Sequence, residues 1–197
     1  MAAADDFHPQ RDADAVVVGA SAGGVQALQS LLGALPAGFA PALLVVLHLP
    51  PGRDSRMAAL LEPLCALPVA EALDKQPVRG GTVTLAPPDY HLLVEPGGTL
   101  ALSVDEPVLW SRPAIDPLFE TAAAVYGERL LAVLLTGASS DGSAGLAAVR
   151  RRGGQAWVQD PADASVPTMP AAALAHAGAD AVLTLDQICR RLAAPAT

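Results

Sequence analysis

Short apolar runs alternate with amphipathic segments along most of the chain. Residues 16–18 are a β-branched run that ends at Gly19, which predicts a buried strand followed by a glycine turn. Residues 25–35 carry apolar side chains at helical spacing up to Pro36, and residues 43–47 are again continuously apolar. Continuous apolar runs are typical of strands that are covered on both faces of a parallel sheet. This part of the chain therefore predicts a strand, a helix and a second, parallel strand.

The alternation resumes after a middle section rich in proline and glycine. Asp54 is suited to cap a helix to about residue 64, and residues 82–86, 92–95 and 99–104 predict short strands in an antiparallel hairpin region. Asp116 and Pro117 are suited to the N-cap and first position of a helix that ends near residue 126. Further strands are predicted at residues 130–135, 156–159 and 181–185, and further helices at 142–152, 168–176 and 186–192. We predict an α/β fold with a doubly wound, mostly parallel sheet, helices on both faces and an antiparallel hairpin region.

Composition favours one globular domain and excludes several functional classes. Of 197 residues, 52% are hydrophobic and 16% are charged, unlike disordered chains. The 12 basic and 20 acidic residues give a net charge of −8, which disfavours nucleic acid and anionic membranes as partners. We predict a flexible N-terminal tail over residues 1–14 and a single domain over residues 15–193.

Residues 19–52 contain no Asp, Glu, Lys or Arg, but this stretch does not predict a membrane span. Pro36 divides it into apolar pieces that are each too short to cross a bilayer. The first residues lack the apolar centre of a secretory signal. Cys65 and Cys189 lie far apart and match no metal-ligand or disulfide pattern, as expected in a reducing compartment. We therefore predict a cytoplasmic protein without membrane insertion.

Chemically active side chains follow three of the predicted strands. Ser21 lies in a Gly-x-Ser-x-Gly loop after the first strand, His48 ends the second, and Asp141 lies in the loop after residues 130–135. The loops at the carboxyl ends of parallel strands meet at one edge of a sheet, so the three side chains can converge. A serine nucleophile, an imidazole base and a carboxylate that orients the base are the groups of acyl-transfer catalysis.

Alternatives remain open for each of these residues. Gly19, Ser21 and Gly24 occupy the spacing of a dinucleotide-binding loop with one glycine replaced. The next strand ends in His48 rather than in the acidic residue that would bind a ribose, which disfavours this interpretation. A lone histidine is more often structural than catalytic, and Asp141 is equally suited to cap the helix that begins near Gly142.

The other titratable residues carry no predicted chemistry. His8 lies in the tail, His91 near a hairpin and His176 on a predicted helix. Asp160 and Asp163 have no partner at metal-ligand spacing. We predict no bound metal.

Several ordered segments, taken together, resemble the catalytic domain of the chemotaxis protein-glutamate methylesterase family, CheB. The matching segments are residues 18–24 (Val-Gly-Ala-Ser-Ala-Gly-Gly), 48–50 (His-Leu-Pro), 68–72, 81–91, 112–116 (Arg-Pro-Ala-Ile-Asp), 135–142 and 159–172. Their order along the chain carries more weight than any single motif.

The resemblance implies a cytoplasmic serine hydrolase that removes methyl esters from glutamate side chains of chemoreceptors, releases methanol and can deamidate receptor glutamines. It places the nucleophile at Ser21, the base at His48 and the orienting acid at Asp141. It implies neither a metal nor an organic cofactor. The implied partners are the cytoplasmic domains of methyl-accepting chemoreceptors.

The chain departs from the family pattern in several places. Ala22 stands where the family usually has Thr, Ala138 where it has Met, and Ala114 where Ser is common. The residues before position 15 are too few for the family's usual phosphorylation-controlled receiver domain, so we expect regulation to be absent, different or supplied in trans. These departures leave a second hypothesis open, namely a catalytically weak or inactive domain that acts as a binding module in chemosensory signalling.

Overall fold

The apolar runs form strands of one parallel sheet. The structure, a computed structural model, describes residues 7–49 and 55–195. Its strands are β1 (Ala15–Ala20), β2 (Ala42–Leu47), β3 (Val69–Glu71), β4 (Val83–Leu85), β5 (His91–Glu95), β6 (Thr99–Ser103), β7 (Leu130–Leu134), β8 (Gln155–Gln159) and β9 (Ala181–Leu183). Within the described ranges, seven of them pair in parallel in the order β3-β4-β2-β1-β7-β8-β9, and β5 and β6 form a separate antiparallel hairpin.

Helices cover both faces of this sheet. They are α1 (Pro9–Asp12), α2 (Gly24–Ala34), α3 (Met57–Leu61), α4 (Ile115–Tyr126), α5 (Ser143–Arg151), α6 (Thr168–His176) and α7 (Leu185–Ala193). Val16 and Val18 belong to the apolar cluster that includes residues of α2, α3 and α7, whereas Val17 belongs to the cluster with α4, α5 and α6. Alternate residues of a strand point to opposite faces, so both faces require apolar side chains. The predicted doubly wound α/β fold is confirmed.

Two short strands differ from the sequence prediction. The sequence predicts residues 82–86 as a strand of the antiparallel hairpin region, which is wrong because β4 lies inside the parallel sheet between β2 and β3. Its three residues are all buried, which fits a strand that is covered on both faces. β3 was not predicted because three residues are too few to show a period.

The described part of the predicted tail packs on the domain. Residues 9–12 form α1, and the ring of Phe7 packs in a T-shaped arrangement with the buried Trp157 ring, with centroids 6.4 Å apart. Apolar contact with the core thus begins before residue 14, and residues 1–6 lie outside the described part of the chain. Asp54, the predicted cap of α3, also lies outside the described residues. No helix in the described ranges is long and apolar enough to cross a membrane.

β1 lies in the centre of the sheet, where the strand order reverses direction. From β1 the chain first adds β2, β3 and β4 on one side, and later adds β7, β8 and β9 on the other. The loops after β1, β2 and β7 therefore meet at the carboxyl edge of three neighbouring strands. Open α/β sheets bind ligands at this kind of crevice.

Candidate active site

The strand register places Ser21 and His48 side by side. Ala20 pairs with Leu47 at the ends of β1 and β2, so Ser21 and His48 each follow directly after the last paired residues. The His48 N–H donates to the carbonyl of Ala20 at 3.1 Å. Parallel strands lie about 4.8 Å apart, so the two side chains start from neighbouring positions at this edge.

His48 and Asp141 form a direct contact. His48 Nε2 lies 2.7 Å from Asp141 Oδ2, and the imidazole is 11% exposed while the carboxylate is fully buried. A carboxylate only accepts hydrogen bonds, so Nε2 carries the proton. The other ring nitrogen, Nδ1, then holds a lone pair and lies 3.3 Å from Ser111 Oγ, which donates to it.

Asp141 also holds the beginning of α4. Oδ2 accepts the backbone N–H of Ile115 at 2.6 Å, and Oδ1 accepts the N–H groups of Asp116 at 3.0 Å and Gly142 at 2.9 Å. These bonds satisfy donors that a helix start leaves without a partner. The sequence suggested a cap for the helix beginning near Gly142, whereas the structure assigns most of this capping to α4.

This arrangement explains why the predicted start of α4 was wrong. We predicted Asp116 as N-cap and Pro117 as first residue, but the helix begins at Ile115 with Ala114 as N-cap. Asp141 supplies the capping oxygens from a distant segment, so no local capping side chain is needed.

The bonds to Asp141 keep its carboxylate ionised. Burial by itself would raise the pKa of Asp141, but the hydrogen bonds from His48 and from the Ile115 and Asp116 N–H groups lower it below its ordinary value. A negative Asp141 fixes the imidazole tautomer and stabilises the imidazolium when it forms.

The Ser21 hydroxyl is accessible but is not yet in contact with the base. Ser21 is half-buried, and within the described residues no hydrogen bond joins it to His48. Its backbone N–H donates to the carbonyl of Thr136 at 3.0 Å, which ties the loop after β1 to the loop after β7. A catalytic hydrogen bond of this type often forms only once substrate is bound.

Glycine is required beside Ser21. A Cβ on Gly137 would lie 2.9 Å from Ser21 Cβ and 2.7 Å from Met169 Sδ, which leaves no space for a side chain. The exposed Ala22 and Ala138 flank this point, and their backbone N–H groups make no hydrogen bond within the part of the chain that the structure describes. They are available to a developing oxyanion.

Two residues that sequence analysis did not single out complete the site. Thr136 Oγ1 donates to the carbonyl of Ala22 at 2.9 Å and accepts the Val166 N–H at 2.9 Å, so it joins three loops. Ser111 contacts His48 from a loop without periodicity, and a hydroxyl in such a loop gives no signal in a single sequence.

The sequence predicts no chemistry for the other titratable groups and no bound metal. His91 is buried and accepts the Ala114 N–H through Nδ1, while its Nε2 lies 3.2 Å from the Glu106 carbonyl, which is a structural role. Among the described residues, no cluster of His, Cys, Asp and Glu side chains could hold a metal ion. The expectation that the protein binds neither metal nor organic cofactor stays a prediction.

Asp116 is a half-buried carboxyl close to Asp141. Its Oδ1 accepts the Gly145 N–H of α5 at 2.7 Å. Asp116 in α4 therefore caps α5, whereas Asp141, which precedes α5, caps α4. Burial, and to a lesser extent the negative charges of Asp141 and Glu120, raises the pKa of Asp116 to about 6.

We expect Asp116→Asn to stabilise the protein more at pH 7.5 than at pH 4.5. Because the pKa is raised, the protonated carboxyl of the native protein contributes to the free energy of unfolding at low pH. That contribution is lost as the pH rises through about 6. An amide stays neutral and can still accept the Gly145 N–H. Urea unfolding at both pH values measures the difference, and an equal effect at both would contradict the assignment.

Comparisons with known proteins identify the family of the chain. A family model described as CheB methylesterase matches residues 16–192. A putative protein-glutamate methylesterase/protein-glutamine glutaminase of Leptospira interrogans is 43% identical over 175 residues, covering 89% of this chain and 91% of that protein. A protein-glutamate methylesterase/protein-glutamine glutaminase of Cereibacter sphaeroides is 43% identical over 179 residues, but this chain spans only 49% of its length.

A solved structure gives the same result for the fold. The crystal structure of the Thermotoga maritima CheB methylesterase catalytic domain superposes with a TM-score of 0.86 at 33% sequence identity, covering 91% of this chain and 97% of that one. The chain belongs to the CheB methylesterase family.

Proposed function

We propose that this chain hydrolyses methyl esters of glutamate side chains in chemoreceptors through Ser21, His48 and Asp141. Membership of the family confirms the resemblance seen in the sequence and favours a carboxylic ester hydrolase over an inactive binding module. The observation that supports the catalytic assignment best is the 2.7 Å contact from His48 Nε2 to the buried Asp141, beside the loop that carries Ser21.

The first half of the reaction forms an acyl-enzyme. Ser21 Oγ attacks the ester carbonyl while His48 Nδ1 takes the hydroxyl proton, and Asp141 stabilises the resulting imidazolium. The tetrahedral intermediate collapses by breaking the bond to the methoxy oxygen. His48 returns its proton to that oxygen, so methanol leaves and a glutamyl ester of Ser21 remains.

Water completes the cycle. His48 Nδ1 takes a proton from water, the hydroxide adds to the acyl carbon, and the Ser21 oxygen leaves with the proton to restore the hydroxyl. The product is a free glutamate side chain. With glutamine as substrate the leaving group is ammonia, which gives the deamidation that the relatives' names include.

Two backbone donors are suited to stabilise both intermediates. The N–H groups of Ala22 and Ala138 flank Ser21 and have no partner in residues 7–49 and 55–195. Substitution of these two positions by alanine leaves the N–H groups in place, so the departures from the family pattern do not remove an oxyanion hole built from the backbone.

Membership of the family supports a proposal for the setting of this reaction. We propose that the protein acts in the cytoplasm, with the cytoplasmic domains of methyl-accepting chemoreceptors as its substrates. The net charge of −8 gives no attraction to an acidic receptor surface, so substrate recognition relies on shape and on neutral contacts.

Methanol release from a carboxyl-methylated receptor fragment tests the proposal. We expect turnover by the native chain, and ammonia release from the corresponding glutamine fragment tests the second activity. Binding of the methylated fragment without methanol release would overturn the proposal in favour of the binding-module hypothesis.

A further inference from the structure

A strained hairpin lies beside the catalytic base. Val108 and Ser111 exchange both backbone hydrogen bonds, at 3.1 and 2.9 Å, around the two central residues Leu109 and Trp110. Both central residues have positive φ, 47° and 66°, which defines a two-residue turn of type I′. This turn favours Asn-Gly, and bulky side chains at positive φ are rare.

The side chains at this turn are apolar and exposed. Trp110 is 99% exposed and Leu109 is 50% exposed. Val104, which is also exposed, is held next to the hairpin because Arg112 donates to its carbonyl at 2.8 Å. Neither packing nor backbone preference accounts for leucine and tryptophan here, and unfavourable backbone conformations persist mainly at functional sites.

The hairpin is physically continuous with the catalytic residues. Ser111, its last residue, donates to His48 Nδ1. On its other side, Leu109 lines a groove of about 270 Å³. Its other lining residues include Ala144, Ala172, Asp116, His176 and Ser140, which is the neighbour of Asp141. An occupant of this groove would therefore reach from the hairpin to the loop that carries Asp141.

The groove contains a polar atom that lacks a partner. Ser143 is only 7% exposed, lines the groove, and its Oγ makes no hydrogen bond within the described residues. A buried hydroxyl without a partner is unfavourable, and a ligand that supplies a donor or acceptor removes that cost.

We infer that the hairpin of residues 108–111 and the adjoining groove dock the polypeptide that carries the esterified glutamate. Apolar side chains of the substrate pack on Leu109 and Trp110, and a polar group of the substrate pairs with Ser143. The inference rests on the proposed function and names its recognition surface. Exposed aromatic anchors with a polar neighbour are typical of interface hot spots, and neutral contacts suit a chain with a net charge of −8.

The test replaces the turn by its favoured sequence. The double variant Leu109→Asn, Trp110→Gly keeps the hairpin and suits type I′ geometry, so its thermal midpoint should rise by about 2 °C or more. For the methylated receptor fragment we expect kcat/KM to fall about 10- to 30-fold, mainly through KM. Hydrolysis of a small ester, N-acetylglutamate γ-methyl ester, should stay within about twofold because it does not reach the hairpin.

A matched control variant tests whether the effect is specific to the hairpin, and a binding assay measures docking without turnover. Leu73→Asn changes another exposed leucine, which follows the edge strand β3, and should leave both substrates unaffected. Calorimetry in a Ser21→Ala background measures affinity for the same fragment with and without the hairpin change. Loss of affinity there supports docking even if the native chain releases no methanol.

Three results would overturn the inference. The first is an unchanged affinity and kcat/KM for the fragment in the double variant. The second is an equal loss of kcat/KM for the fragment and for the small ester in that variant. The third is a loss of kcat/KM for the fragment in Leu73→Asn that equals the loss in the double variant. An equal loss on both substrates would mean that the hairpin acts through Ser111 and His48 rather than by docking.

Discussion

Ser21→Ala is expected to reduce kcat for methyl-ester hydrolysis by about 10³-fold or more. The variant removes the atom that attacks the ester carbonyl, while the backbone around it stays in place because the Ser21 N–H bonds the Thr136 carbonyl. KM should change little, since the hydroxyl contributes mainly to the transition state. Methanol release at saturating methylated fragment measures the effect.

Ser111→Ala is the matched control for this change. Ser111 also presents a hydroxyl to His48, at 3.3 Å from Nδ1, but it donates to the ring rather than attacking substrate. We expect this variant to keep turnover within about tenfold of the native value. Full activity of Ser21→Ala would contradict the nucleophile assignment.

The second large effect is expected from Asp141→Asn, which should lower both activity and stability. An asparagine cannot accept from His48, Ile115, Asp116 and Gly142 at once, because one of its two terminal groups is a donor. A misoriented or wrongly protonated imidazole costs about 10⁴-fold in kcat. Loss of acceptors at a fully buried site costs about 2–4 kcal/mol of unfolding free energy.

The stability effect has a definite dependence on pH. The pKa of Asp141 is lowered in the folded protein, so its contribution is present above the unfolded pKa and is lost as the pH falls through the folded value. The deficit of Asp141→Asn in urea unfolding should therefore be larger at pH 7 than in acid. Asp186→Asn is the control, because this exposed partner of Arg190 contributes little. A deficit no larger than that of Asp186→Asn would contradict the capping role.

The elements around the site could largely be predicted from the sequence because each one has a strong local pattern. The β-branched and leucine runs of β1, β2 and β7 are buried on both faces and therefore continuously apolar. Since parallel strands bring their carboxyl ends together, the convergence of the loops that carry Ser21, His48 and Asp141 followed from the strand assignment.

Features that depend on distant contacts were not predictable in the same way. The start of α4 is capped by Asp141, 26 positions away from Ile115, so local capping rules favoured Asp116 instead. β3 joins the sheet with three residues, held by pairing to β4 rather than by its own pattern. The contact of Ser111 with His48 depends on a turn whose Leu-Trp sequence does not match the usual turn residues.

The most direct test of the central claim is to identify the serine that reacts covalently. We would treat the native chain with a serine-directed fluorophosphonate and map the modified residue by peptide mass spectrometry. The account predicts modification of Ser21 in parallel with loss of methanol release, and no modification in His48→Ala. Modification of Ser111 instead, or inactivation without a label on Ser21, would contradict it.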